Sequence, residues 1–166
     1  MEQETKSEKR RIIALMSGII LLLLIILFSS IFYIRSSRPM AQAKQEAVEI
    51  AKQYASIEDV EHFYWFNREE TYFTVLGKDD KQQEMIAIIP KSGSKITVLK
   101  QSDGLSEADA KEAIRVAHPE EAVKKATLGM FNKQPVWEVM TKGNQGNTYF
   151  LLDFKTGKEV KVISNI

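Results

Sequence analysis

The chain has 166 residues, with 23 Lys and Arg against 22 Asp and Glu and no cysteine. That length holds one ordinary globular domain or two very small ones, and the missing cysteine excludes disulfides, thiol catalysis and thiolate metal sites. The near-neutral balance gives no electrostatic reason to seek nucleic acid or to lie along anionic lipid.

The first eleven residues carry the small positive excess, Lys6, Lys9, Arg10 and Arg11 against Glu2, Glu4 and Glu8. From Ile12 to Ile34 follow 23 residues without a charge, rich in Ile and Leu. As a helix this stretch reaches about 34 Å, enough for a hydrocarbon core of about 30 Å. A cleaved signal peptide is the rival, with Ala41-Gln42-Ala43 as a cleavage-like triplet. Its apolar region would run only about 7–15 residues and end close to the cut. The Lys9-Arg10-Arg11 cluster favours an amino terminus inside. The expectation is a cytoplasmic tail over 1–11, a single transmembrane helix over 12–34 and an extracytoplasmic remainder.

Ser36-Ser37-Arg38-Pro39 is expected to interrupt the helix, with Pro39 opening a second one that runs to Tyr54. Ala43, Ala47, Val48, Ala51 and Tyr54 form its apolar stripe. Alternation then predicts strands near 60–66, 71–77, 84–89 and 95–100, parted by the turn-like Lys78-Asp79-Asp80 and Lys91-Ser92-Gly93. The first of these strands holds the run Phe63-Tyr64-Trp65-Phe66. Strict alternation sends Tyr64 and Phe66 to one face with Val60, and Phe63 and Trp65 to the other with Glu61. Val60, Tyr64 and Phe66 suffice for the core under the strand's own helix. Phe63 and Trp65 are therefore expected at the junction of the two repeats or beside it, where packing is the plainer role and a partner surface the sharper one.

Ser106 is placed to cap another helix, Glu107 and Asp109 complementing its positive end, and Pro119 stops it near His118. Four more strands follow near 123–131, 135–141, 148–154 and 159–163, with turns at Gly143-Asn144-Gln145-Gly146 and Lys155-Thr156-Gly157. Two histidines, His62 and His118, lack the clustered partners of a zinc site. Neither a phosphate-binding glycine loop nor a Gly-x-Ser-x-Gly elbow is present. No cofactor is expected. Asp153 interrupts an apolar strand just before a Thr-Gly turn, where accepting the turn amides is a simpler role than binding a ligand.

The order of one helix and four strands occurs twice. Residues 72–101 align without a gap on 136–165, an offset of 64, pairing Val75 with Val139, Lys91 with Lys155, Gly93 with Gly157 and Val98 with Val162. The alignment also sets Phe73, Ile86 and Ile88 on Trp137, Phe150 and Leu152, so that one apolar face maps on the other. The helices match as residues 46–51 on 112–117.

Trp137-Glu138-Val139, followed by Tyr149-x-x-x-Asp153-x-x-Thr156-Gly157-x-x-x-x-Val162, resembles the hairpin pattern of PepSY domains. The whole chain, anchor plus two such units, is similar to the YpmB family of Gram-positive membrane proteins. The resemblance implies an α+β fold: two tandem cystatin-like units over 39–101 and 105–166, each a helix packed on a four-stranded antiparallel sheet. It also implies an extracytoplasmic, non-enzymatic role in interaction or regulation, exercised on a protein partner at the envelope such as a peptidase or wall-assembly factor. The first repeat departs from the motif, with Met85, Ile89 and Ser92 where the second has Tyr149, Asp153 and Thr156. Roles tied to Trp137, Tyr149, Asp153, Thr156 and Gly157 pass only to those positions. A carboxylate-dependent envelope hydrolase, or a module binding peptides or wall fragments, are the alternatives.

Overall fold

The structure is a computed structural model describing residues 2–144 and 146–164. Contacts divide the chain into Met1–Gln42 and Ala43–Ile166. A helix, α1 (Glu2–Ala55), contributes to both. In the first body, Arg11–Ile31 is long and apolar enough to cross a membrane, with a mean hydropathy of 3.0 over exposed side chains. Such a helix fits a membrane anchor or a signal sequence.

The expected interruption at Ser36–Pro39 does not separate two helices, because helical backbone runs through it. A proline inside a helix removes one ladder hydrogen bond, and strongly helical flanks can absorb that loss.

The second body starts with the end of α1 and continues through β1 (Asp59–Asn67), β2 (Thr71–Lys78), β3 (Glu84–Pro90) and β4 (Thr97–Lys100). A 3-10 turn at Gln101–Asp103 leads to α2 (Glu107–Ala117), then β5 (Ala122–Phe131), β6 (Gln134–Gly143), β7 (Gly146–Asp153) and β8 (Glu159–Ile163). Each repeat is an antiparallel meander, β1-β2-β3-β4 and β5-β6-β7-β8. Two four-stranded sheets, each with its helix, establish the α+β duplication. Ser106 caps α2 as its sequence foretells: its side chain accepts from the Asp109 amide, and the Asp109 carboxylate accepts from the Ser106 amide.

On the first sheet, α1 sets down Ala47, Ala51 and Ala55, four residues apart and all buried. Tyr54, expected on that stripe, is exposed. The spacing of four selects Ala55, and three small side chains let the helix sit close to the strands. They join Ile57, Val75, Ala87 and Ile89 in one core. On the second sheet the burial belongs to Ala110 and Ile114. These match Ala47 and Ala51 at an offset of 63, so the helix alignment of 46–51 on 112–117 is out of phase. It would place Ile50 on Val116, which is exposed.

A shift of one residue, from an offset of 64 to 63, overturns part of the strand alignment. Val75 pairs with Ala87, whereas Val139 pairs with Phe150. The counterparts of Phe150 and Leu152 are therefore Ala87 and Ile89, not Ile86 and Ile88. The second repeat loses one residue in its hairpin, where Gly143 meets Gly146 directly, while the first turns more widely between Lys78 and Glu84. It regains one after β7 as Phe154, and the two changes cancel, so the alignment closes without a gap. Because a slip of one residue exchanges the faces of a strand, Ile86 and Ile88 point away from α1. They join Leu128, Trp137, Val139, Phe150 and Ile114 in a core shared by both repeats.

A groove and a lock at the seam of the two repeats

The repeats meet along β1 and β5. At one end Phe66 is buried against Phe131, Val136 and Leu151 of the second sheet. Gly129 makes that seat possible: a Cβ there would lie 2.1 Å from the Phe66 ring. Next to it Arg68 donates to Glu138 at 2.5 Å and lies 4.6 Å from the centre of the Tyr149 ring. Glu69 accepts the Asn132 amide at 3.0 Å, and buried Thr74 donates to the Leu128 carbonyl at 2.8 Å. A ring, a guanidinium and a carboxylate from one hairpin thus lock onto the other repeat.

Further along β1 the seam opens. The Tyr64 hydroxyl donates to Glu107 at 2.5 Å, and Lys111 donates to the other oxygen of the same carboxylate at 2.5 Å. Burial resists ionisation of Glu107, yet the bonds from Lys111 and Tyr64 hold its carboxyl below the usual range. Burial and then the Glu107 carboxylate push the Tyr64 phenol up, so it stays a donor. The His62 ring stacks near Tyr64, and the Trp137 ring meets Tyr64 edge-on at 5.6 Å. Trp137 is itself fixed by its indole N–H on the Leu105 carbonyl at 2.8 Å. A cavity of about 190 Å³ sits above Tyr64, Leu76 and Met85. It adjoins a wider one of about 600 Å³ between the β2–β3 turn and the start of α2. Among the described residues no group of three or more His, Asp or Glu could hold a metal ion.

Comparison with known proteins places this pair of repeats. Residues 46–90 match the family described as Cell wall elongation regulator TseB-like domain, and residues 104–163 match PepSY, Peptidase propeptide and YPEB domain. The YpmB protein from Bacillus subtilis has a solved structure 26% identical to this chain, covering 72% of this chain and 95% of that one at a TM-score of 0.64. The chain thus carries a TseB-like and a PepSY domain in tandem and is similar in fold to YpmB. A proposed lipoprotein from Clostridium difficile 630 is 18% identical over 72% of this chain and 91% of its own, at a TM-score of 0.38. No curated protein matches the chain significantly.

Within the PepSY repeat, Asp153 closes its own turn. Its Oδ1 accepts from the Thr156 amide at 2.8 Å and from the Thr156 hydroxyl at 2.7 Å, and Gly157 donates to the Asp153 carbonyl at 2.9 Å. Gly157 stands at φ +70°, a left-handed value that favours glycine, and Gly93 repeats it in the first turn. The first-repeat counterpart of Asp153 is Pro90 rather than Ile89, since Pro90 pairs with Tyr72 where Asp153 pairs with Val136. The added Phe154 is buried, and its carbonyl takes the Leu105 amide at 2.8 Å. The motif thereby anchors the segment joining the repeats. Tyr149 serves as the platform for Arg68.

The Thr156 hydroxyl above all holds the Asp153 carboxyl below its usual range. Asp153→Ala is expected to cost about 1 kcal/mol at neutral pH. A lowered folded-state pKa contributes stability above the unfolded value near 3.9, and that contribution is lost as pH falls. The gap between wild type and variant should therefore close below about pH 4, in urea titrations run at several pH values.

Phe63 and Trp65 do not lie at the junction. A bulge between Val60 and His62 shifts the phase of β1, so Val60 and Phe63 pack together into the core under α1. Phe63 stacks on Phe73, while Trp65 meets Phe73 edge-on at 5.1 Å and stays partly open to solvent. Tyr64 and Phe66 take the seam instead. His118 ends α2, with Nε2 2.9 Å from Glu159 and its ring on Phe150. Sequence reasoning passed over the pairing of Arg68 with Glu138 and of Tyr64 with Glu107, partners 70 and 43 residues apart. No local spacing marks such pairs.

Proposed function

We propose that the chain is a membrane-tethered regulator that acts outside the cytoplasm by contact with a protein of the wall-building or peptidase machinery. In this reading 1–11 is a cytoplasmic tail, 12–34 the transmembrane anchor, and 39–101 and 105–166 the two domains. The observation that carries it is the fusion of a TseB-like and a PepSY repeat through one shared core, Ile86 and Ile88 entering the core built on Leu128 and Trp137. Such a body presents a composite surface that neither repeat owns alone. The seam groove is the concave, polar part of that surface, suited to a peptide segment. The Glu107 carboxylate there is engaged in holding the repeats together through Tyr64 and is paired with Lys111 on its own helix, which suits binding better than catalysis.

Protease added to intact cells is expected to remove a carboxyl-terminal epitope and spare an amino-terminal one. A photo-crosslinking residue at Glu84, on the groove, should give a discrete adduct with one envelope protein, and the same group at Val116, at the far end of α2, should not. Protection of the carboxyl-terminal epitope overturns the topology. Equal adducts from both positions, or none, remove the groove as the contact site.

A further inference from the structure

The smaller cavity has an uneven chemistry. Its floor is Leu76, Met85 and the Tyr64 ring, and its rim carries Glu61, Glu84 and Glu107 with no lysine or arginine among the lining residues. Two of these carboxylates are already held from outside, Glu61 by Lys78 at 2.9 Å and Glu107 by Lys111 at 2.5 Å. Glu84 makes no side-chain hydrogen bond or ion pair among the described residues. At the start of α2 the Ser106–Asp109 capping box satisfies two of the free amides, and the Glu107 and Asp109 carboxylates offset the positive end, which weakens its pull on an anion. A guest must therefore match an apolar floor and an anionic rim at once. Long cationic side chains do so, laying methylenes on apolar surface and keeping the charged end among oxygens. An aromatic face under the stem adds attraction for a cation. Lys111 shows the chemistry in place, as a primary ammonium already seated on Glu107.

We propose that this notch binds a primary ammonium on an aliphatic stem, as in a lysine side chain, carried by an extended segment of the envelope partner that lies in the adjoining wider groove. The inference rests on the reading of the groove as a partner site and names what that site selects. Lys111 is then a resident competitor for Glu107, and its removal should improve binding. A role confined to holding α2 in place predicts no such gain.

The test uses the full chain in lipid nanodiscs, with nitrogen-15 tryptophan labelling. The chain has two tryptophans. Trp137 abuts Tyr64 beneath the notch, and Trp65 sits with Phe73 on the α1 side of the first sheet and serves as an internal control. The probes are acetyl-Gly-Lys-Gly-amide, its Nζ-acetylated twin and its norleucine twin. The lysine peptide should shift the Trp137 indole resonance saturably and leave that of Trp65 unmoved, with both twins at least tenfold weaker. Glu84→Gln, on an exposed residue, should weaken the lysine peptide several-fold, and Lys111→Met should strengthen it several-fold; retained dispersion of the two indole signals certifies folding. Equal binding of the lysine peptide and its acetylated twin, or no shift at Trp137, overturns the inference. A discrete Glu84 adduct in cells without lysine selectivity refutes the ammonium chemistry and leaves the groove reading standing. Selectivity without an adduct upholds the chemistry and removes partner docking at the groove.

Discussion

Trp137→Ala is expected to lower the unfolding free energy of the folded body by about 3–5 kcal/mol, the usual range for a buried large aromatic. The residue is fully buried and belongs to the core that contains Ile86 and Ile88 of the first sheet, Ala110 and Ile114 of α2, and Phe150 and Leu152 of its own sheet. Truncation leaves a void that both repeats line, so neither can close it by moving alone. Its indole N–H bond to Leu105 is lost as well, although the Leu105 carbonyl keeps Gln101 Nε2 at 2.9 Å. Trp137→Phe retains most of the volume and should cost only about 1–2 kcal/mol, most of it for the missing hydrogen bond and reduced contact. Trp65→Ala is the contrast. More than a third of Trp65 stays exposed, so its truncation should cost clearly less than that of Trp137. Chemical denaturation followed by far-ultraviolet circular dichroism measures all three, and equal losses at Trp65 and Trp137 would contradict the assignment of the two faces.

What the sequence discloses here follows from the range over which each signal acts. The long apolar helix, the capped start of α2 and the turns at Gly93 and Gly157 depend on neighbours a few residues apart, and they stand where local rules put them. The alternation of β1 is local too, yet it misplaces Phe63 and Trp65, because a single bulge between Val60 and His62 reverses the phase for the rest of the strand. No residue in that stretch announces the bulge, since Glu61 fits an ordinary solvent-facing position as well as a bulged one. The duplication was legible from turn spacing, but its register was not. A residue lost before β7 and another gained after it, as Phe154, leave the overall offset unchanged while exchanging the faces of one strand. Ile86 and Ile88 were the cue: β3 is apolar on both faces, as the buried run from Ile86 to Pro90 shows, and a strand with two apolar faces needs a second layer. That layer is the other repeat. The seam residues were the least accessible, because Arg68 meets Glu138 and Tyr64 meets Glu107 only once both repeats have folded.

The lock at the far end of the seam yields a prediction that separates docking from folding. Phe66→Ala is expected to cost about 3–5 kcal/mol, as it empties a seat formed by Phe131, Val136 and Leu151. Gly129→Ala attacks the same contact from the other side. Its Cβ would fall 2.1 Å from the Phe66 ring, too close for any real contact, so the ring must leave its seat or β5 must shift. Overpacking of this kind costs about 1–3 kcal/mol. If the clash with Phe66 is the whole reason that position 129 is glycine, Gly129→Ala should be nearly free once Phe66 is alanine. The double variant would then be no less stable than Phe66→Ala alone, a coupling of about 1–3 kcal/mol between residues 63 positions apart. Additive losses would show instead that glycine is required by the second repeat itself, and that Phe66 sits on a surface shaped without it. Arg68→Ala in the Phe66→Ala background completes the argument. With the ring gone, the guanidinium between Glu138 and Tyr149 is the strongest remaining polar tie of that hairpin to the PepSY sheet. Hydrogen exchange should then speed up at the Thr74 and Asn132 ends of the seam while the amides of β6 and β7 stay protected. Such a pattern marks the seam as the weakest cooperative boundary in the body, the place where a partner could separate the two repeats without unfolding either.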